Sequence, residues 1–348
     1  MFIFVYIMIY VVIIMAVILS HIFTGRYMSH YDTGIETHAK ELLAFIEKAE
    51  KTGNWKLNKK QMRKFRKPQV LESFYRVSQE LDRKKLEQFL EENTLELVEL
   101  GRKMRNKSLR AYYAFVICKL QLKGKIAEQF TELVLYYLRT DSSVFCRENS
   151  LKALYSMGNA KSISEAFKYF HQKDIYHSEK LLTDGLLSYQ GDFKKLSKVL
   201  VDDFEDYGQC CRIAVISYLF YRDEHDFDAY FMNYLKQDIS MDERCGCLRL
   251  IGKQCSKSHE KLLIQTLESY KDKEDWEPAA VAASALGNYE DKLAIAALEG
   301  ALESPNWYVR INSARALVAS DVAVLDVKRI LGGKDEYAKD ALKYAISS

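Results

Sequence analysis

This chain has little of what interrupts a helix. Only three prolines (Pro68, Pro278 and Pro305) and 15 glycines occur in 348 residues. That scarcity leaves no room for long linkers, and with abundant Leu, Ala, Lys and Glu it predicts an all-helical protein. A disulfide framework is missing as well. The seven cysteines (Cys118, Cys146, Cys210, Cys211, Cys245, Cys247 and Cys255) are odd in number and follow no framework spacing, as expected in a reducing compartment. Nor is there a global basic footprint. The net charge is +3, and residues 51–67 alone carry eight positive charges, so the rest of the chain is mildly acidic. A nucleic-acid-binding surface spread over the whole body is not expected.

Asp, Glu, Lys and Arg are absent from residues 1–25, and Phe2 to Leu19 are apolar without interruption. Roughly 20 residues cross a bilayer core at ~1.5 Å per residue, so residues 1–25 are expected to form a transmembrane anchor. A cleaved signal peptide fits less well. No Lys or Arg precedes the run, the run is too long, and no A-x-A site follows it. The basic residues all lie beyond it, first Arg26 and then the run from Lys51 to Lys67. The positive-inside rule therefore predicts a single-pass topology, N-out and C-in, with the bulk cytoplasmic.

Residues 26–34 read as a linker leaving the membrane. Residues 35–105 are expected to be the helical, basic and irregular start of a solenoid, with Ile35, Ala39, Leu42, Leu43, Ile46 and Ala49 at helical spacing. Within this region Trp55, Lys59, Lys60, Arg63, Lys64, Phe65, Arg66 and Lys67 are candidate lipid contacts. The cations would meet anionic headgroups at about 1 kcal/mol each, and the rings would enter the interface. The same stretch also reads as a solvated basic face that only enforces topology, or as a nucleic-acid contact.

From Asn106 onward a module recurs every 31 to 37 residues. A basic residue is followed seven positions later by Leu or Ile in Arg110/Ile117, Arg147/Leu154, Lys180/Leu187, Arg212/Leu219, Arg244/Ile251 and Arg310/Leu317, and Ala279/Leu286 keeps the register without the charge. Six positions before the basic residue stands Asp141, Asp174, Asp206 or Asp238. Such a period means stacked helix pairs, each too small to bury its own apolar face. The clearest units read SPNWYVRINSARALVAS and DWEPAAVAASALGNYED, and DEYAKDALKYAISS looks like a polar-ended cap.

The turn Asp or Asn, the V-R/K start of the second helix and the A-x-x-L ending resemble HEAT repeats, and the short copies look like the subtype first named from phycobilisome lyases. The resemblance covers residues 106–348 and implies an armadillo-like α-solenoid. It also implies that Arg147, Arg212, Arg244 and Arg310, with Asp141, Asp206 and Asp238, form a structural ladder between repeats. In such arrays the second helix of each pair lines the concave face. Five and nine positions past each ladder position, Lys119, Lys152, Arg249, Lys253 and Arg315 fall on two columns without an acid. They are a candidate protein-binding groove for an acidic segment; an ordinary solvated face is the plainer reading.

No catalytic, cofactor or metal residue is expected. Cys210–Cys211 and Cys245-x-Cys247 lack the spacing of zinc ligands, and helical neighbours point apart, so small buried hydrophobes are the better account. HEAT-like di-iron hydroxylases carry several His-Glu pairs, whereas this chain has only His259-Glu260. The reading is a membrane-anchored, non-enzymatic scaffold or adaptor. It would bind a membrane-associated protein partner, with anionic lipid as a possible second contact and without nucleic acid or small-molecule substrate. The alternatives are a bilin lyase-like or DNA-glycosylase-like enzyme on the same scaffold, or an extracytoplasmic binding protein.

Overall fold

The computed structural model describes residues 2–141, 143–320 and 323–347, and the side chains of residues 2–9, 11, 22, 23 and 25–27 lie outside that description. Every described element is helical. In chain order they are α1 (Phe2–Thr52), α2 (Lys59–Lys64), α3 (Pro68–Glu80), α4 (Arg83–Arg102), α5 (Lys107–Lys119), α6 (Gly124–Thr140), α7 (Val144–Met157), α8 (Ala160–Gln172), α9 (Glu179–Leu187) and α10 (Phe193–Asp202). After a 3-10 turn at Phe204–Asp206 come α11 (Gln209–Arg222), α12 (Asp228–Tyr234), α13 (Met241–Ile251), α14 (Lys257–Tyr270), α15 (Glu277–Leu286), α16 (Lys292–Ala301), α17 (Trp307–Ala319), α18 (Val324–Leu331) and α19 (Glu336–Ser347).

Two compact units divide the chain, Met1–Ala166 with Tyr189–Asp192, and Phe167–Ser188 with Phe193–Ser348. In the first, α1, α3, α5 and α7 stack in succession as one layer, and α2, α4 and α6 as the other. In the second, α9, α11, α13, α15, α17 and α19 stack as one layer, and α14 and α16 pack together in the opposite one. This two-layer stacking is what helix pairs with one shared apolar face produce. The helix starts follow the expected chemistry. Asn106, Ser143, Ser178, Ser256 and Asn306 each cap the following helix by accepting a backbone N–H on the side chain. Pro68 does open α3, at the first turn.

The entry to the first unit differs from expectation. Residues 26–34, read as a linker, continue α1 without a break. Gly34 does not interrupt it, because α3 packs there: a Cβ on Gly34 would stand 2.6 Å from Gln69 Nε2. From Ile35 the helix is a repeat helix, with Ile35, Ile46 and Ala49 buried, and the Ser73 hydroxyl donates to Ile35 O at 2.8 Å. Before it, Tyr10, Val12 to Met15 and Val17 to Leu19 are exposed. Among the described residues no helix is long and apolar enough to cross a membrane. The expected anchor falls largely outside them, since the side chains of residues 2–9, 11, 22, 23 and 25 are not described.

Residues 35–105 are regular once folded. Phe74 lies 5.5 Å from Phe65 and 5.7 Å from Phe89, ring centre to ring centre, in a shared core. The loop before α2 is clamped by Asn93 of α4, which is fully buried. Its side-chain amide donates to Trp55 O and Phe89 O, each at 2.8 Å, and its Oδ1 accepts Leu57 N–H at 2.8 Å.

Candidate protein-binding surface

The expected Arg–Asp columns are linked between repeats only in part, and with other partners than expected. The arginines serve first as staples for the turn before their own helix. Arg110 donates to Met104 O at 2.6 Å, Arg212 to Tyr207 O at 2.9 Å, Arg244 to Leu235 O at 2.9 Å and Arg310 to Ser304 O at 2.5 Å. These carbonyls close a helix or a turn and have no helical partner, so a guanidinium is a suitable donor. Arg147 is half-buried at the equivalent position of α7.

The acid that meets a ladder arginine comes from the next repeat and not from six residues upstream. Arg110 lies 3.8 Å from Asp141, and Arg212 lies 2.5 Å from Glu243. Asp141 also accepts the Ser143 N–H at 2.9 Å. Asp206 is exposed and pairs with Lys168 at 2.8 Å, and Asp238 is exposed at its turn.

Glu243 was not singled out from the sequence. It is buried, completes a capping box with Ser240, and also accepts from Tyr234 Oη at 3.1 Å. Burial alone would raise its pKa, but the donors Ser240 and Arg212 outweigh it and hold the carboxyl below its ordinary value. The S-x-x-E pattern at Ser240–Glu243 was the available signal.

All five expected groove residues are exposed, on the layer formed by the odd-numbered helices. Lys119 and Lys152 belong to the first unit. Lys119 Nζ stands 5.6 Å from the Phe115 ring, and Lys152 pairs with Glu148 at 3.1 Å, an acid outside the two columns. In the second unit Arg249 and Lys253 line a groove of about 460 Å³ with Phe220, Val281, Asn288 and Asn312. Lys253 Nζ donates to Phe220 O at 2.7 Å and pairs with Asp223 at 3.3 Å, so it is partly committed. Arg249 has no carboxylate partner among the described residues. Arg315, one helix further on, lies over the Tyr344 ring at 6.0 Å.

The basic segment splits into two faces. Lys59, Lys60, Arg63, Arg66 and Lys67 are exposed, and Lys64 is half-buried and pairs with Glu41 at 2.7 Å. Trp55 and Phe65 point the other way, each only 4% exposed. They were expected to enter a lipid interface; the structure commits them to the core of the first unit, where Asn93 and Phe74 hold them. Met62 is buried as well, so the thin apolar stripe among the cations is a packing stripe.

The cysteines also depart from one expectation. Cys210 and Cys211 do not point apart; their sulfurs are 4.0 Å from each other at the start of α11. The Cys211 thiol beside it, with backbone hydrogen bonds at His177 and Cys211, outweighs burial and brings Cys210 down to about 6. Burial pushes Cys146 up to about 12 and Cys245 up to about 11. Among the described residues no group of His, Cys, Asp and Glu is arranged to hold a metal ion. His259 is buried and stands 3.9 Å from Asp228, which also receives His225 at 3.2 Å.

Residues 260–343 match the family model of HEAT repeats. The match runs from α14 into α19, and together with the all-helical, stacked fold it supports a HEAT-repeat protein. No curated protein matches the chain. The match is to HEAT repeats in general and does not distinguish a subtype.

Proposed function

We propose that the chain is a scaffold that binds a partner protein through its HEAT-like repeats and is held at a membrane by the start of α1. The observation that carries this reading is the HEAT-repeat match at residues 260–343, coupled to a stacked layer whose exposed face carries Arg249, Lys253 and Arg315 beside a polar groove. HEAT repeats commonly mediate protein–protein contact, and specificity then resides in the exposed side chains. The membrane part rests on the uncharged residues 1–25 and the basic excess after them. In this reading the topology is N-out and C-in, the repeats are cytoplasmic, and the partner is a membrane-associated protein with an acidic segment.

The test has two arms. A reporter active only in the cytoplasm, fused after the C-terminus, reads the topology; a silent fusion would overturn the orientation. Crosslinking in intact membranes followed by capture reads the partner. Reversing Arg249 and Arg315 to Glu should leave helical content unchanged and reduce recovery of the partner, because both side chains are exposed. Unchanged recovery would move the binding surface off this layer.

A further inference from the structure

A second recess lies in the first unit. It has a volume of about 650 Å³ and runs between α2 and the end of α4. Lys59, Arg63 and Arg66 line it. Lys59 and Arg63 stand one turn apart on α2, and Arg66 follows in the turn after it. All three are exposed, and none has a carboxylate partner among the described residues. The opposite wall carries Glu96 and Glu99, but each is already neutralised, Glu96 by Lys56 at 2.9 Å and Glu99 by Lys103. The floor is apolar: Leu57, Met62 and Leu100 line the recess from buried positions. The recess therefore combines a cationic excess with an aliphatic floor.

Three anionic occupants differ in what they ask of such a site. A single-stranded nucleic acid is held by stacking its bases on aromatic platforms. Trp55 and Phe65, the nearby rings, are buried and offer none. Its evenly charged backbone would also run past Glu96 and Glu99 with nothing to place on the aliphatic floor. A lipid headgroup needs proximity to the bilayer. Glu41 holds Lys64, and it lies 22 residues after Leu19 on the unbroken helix α1. That is about 33 Å along the axis, and still about 25 Å if the helix tilts by ~40°. Charge interactions fade over about 8 Å in physiological salt. This exclusion of lipid rests on the anchor reading; the groove geometry does not. A peptide that alternates acidic and aliphatic side chains satisfies both the cations and the floor.

We infer that this recess is a docking site for an acidic, partly aliphatic segment of a partner protein, with Lys59, Arg63 and Arg66 taking its carboxylates and Leu57, Met62 and Leu100 its aliphatic side chains. It is a separate site from the Arg249 groove and would hold even if that groove binds nothing.

The experiment uses the full chain in detergent and a short fluorescein-labelled peptide of alternating glutamate and leucine, read by anisotropy. Saturable binding is expected. Arg63→Glu with Arg66→Glu should weaken it by about tenfold or more, since each tenfold is only about 1.4 kcal/mol. A peptide of alternating glutamate and glycine should also bind about tenfold more weakly, because it leaves the floor uncovered. Lys59→Ala, a milder change, guards against a folding defect, and circular dichroism checks each variant. No saturable binding, equal binding of both peptides, or full binding by the double variant would each overturn the proposal. So would an oligonucleotide or anionic vesicles that bind the same cations in place of the peptide.

Discussion

The repeats near the C-terminus and the first repeats after α1 solve the same packing problem with different side chains. In α15 and α17 the contact is made by small residues. Ala279, Ala282, Ala283 and Ala314 are fully buried, and a Cβ on Gly252 would meet Ala285 Cβ at 2.5 Å. Helix backbones approach closely there, and the same small residues recur from one unit to the next. Residues 35–105 instead use large rings, Phe45, Phe65, Phe74 and Phe89, and a buried polar clamp at Asn93. A contact that recurs leaves a period in the sequence, whereas a contact made once does not. The comparison can be broken by variants that remove one side chain from each region.

The largest effect is expected at Leu317, which is fully buried in α17. Leu317→Ala should cost about 3–5 kcal/mol, since the cavity is closed in by α15 and α19. Coupling in a stack is between neighbours, so hydrogen exchange should rise over α15 to α19 and stay unchanged in residues 35–105. A uniform rise over both regions would contradict the nearest-neighbour picture.

Asn93→Ala is the matching variant in the first unit. It strands the Leu57 N–H and the Trp55 carbonyl together in a buried place, and should cost about 2–4 kcal/mol. The loop that carries Trp55 should loosen first, so Trp55 fluorescence should shift to the red before global unfolding in urea. Coincident transitions would mean that the loop has no independent stability.

These two sites show what was legible. The all-helical class and the stacking of pairs followed from the period and from low Pro and Gly, because those signals are written many times over. Arg110, Arg212, Arg244 and Arg310 were legible as ladder positions, since each recurs in register. Their partners were not. The turn carbonyls carry no side-chain signature, and the next-repeat acid is Asp141 in one case and Glu243 in the other. The unbroken α1 was illegible because TGRYMSHYDTG looks like a linker until packing against α3 is known. Most cations of residues 59–67 were legible as exposed, but the direction of Trp55 depends on Asn93 of α4, distant in sequence, and that of Phe65 on its packing against Phe74 of α3.

Glu243→Gln sharpens the comparison within the ladder itself. The variant keeps the size and one acceptor but removes the charge that meets Arg212, and at pH 7 should cost about 1–3 kcal/mol, given that Arg212 is partly solvated. The carboxyl of Glu243 is held below its ordinary value of 4.5. Its contribution is therefore fully present above that value and is lost as pH falls through its lower folded value. Urea titrations at pH 7 and near pH 3 should show the gap between parent and variant closing at acid pH. A gap of equal size at both would mean that Glu243 acts by shape alone. The corresponding change at Arg310, which staples only Ser304 O and faces rings at Trp307 and Tyr337, should show no such pH dependence.

The smallest effect tests whether the staple needs the repeat register at all. Arg83 opens α4, outside the recurring position, yet it donates to Leu120 O at 2.8 Å and to Gln121 O at 2.9 Å. Those carbonyls form the turn into α6, where Gln121 stands at φ 48°, in the left-handed region. A side chain there is strained by about 1 kcal/mol, and the arginine holds the turn in place. Arg83 is partly exposed, so Arg83→Ala should cost only about 0.5–1 kcal/mol. Gln121→Gly should return about the same amount by relieving the strain. The two residues share one turn, so their effects should not add. In the double variant the loss from Arg83→Ala should shrink, because a relaxed turn needs less holding. Additive melting shifts would mean that Arg83 does not support Gln121, and that stapling of turns is confined to the periodic arginines after all.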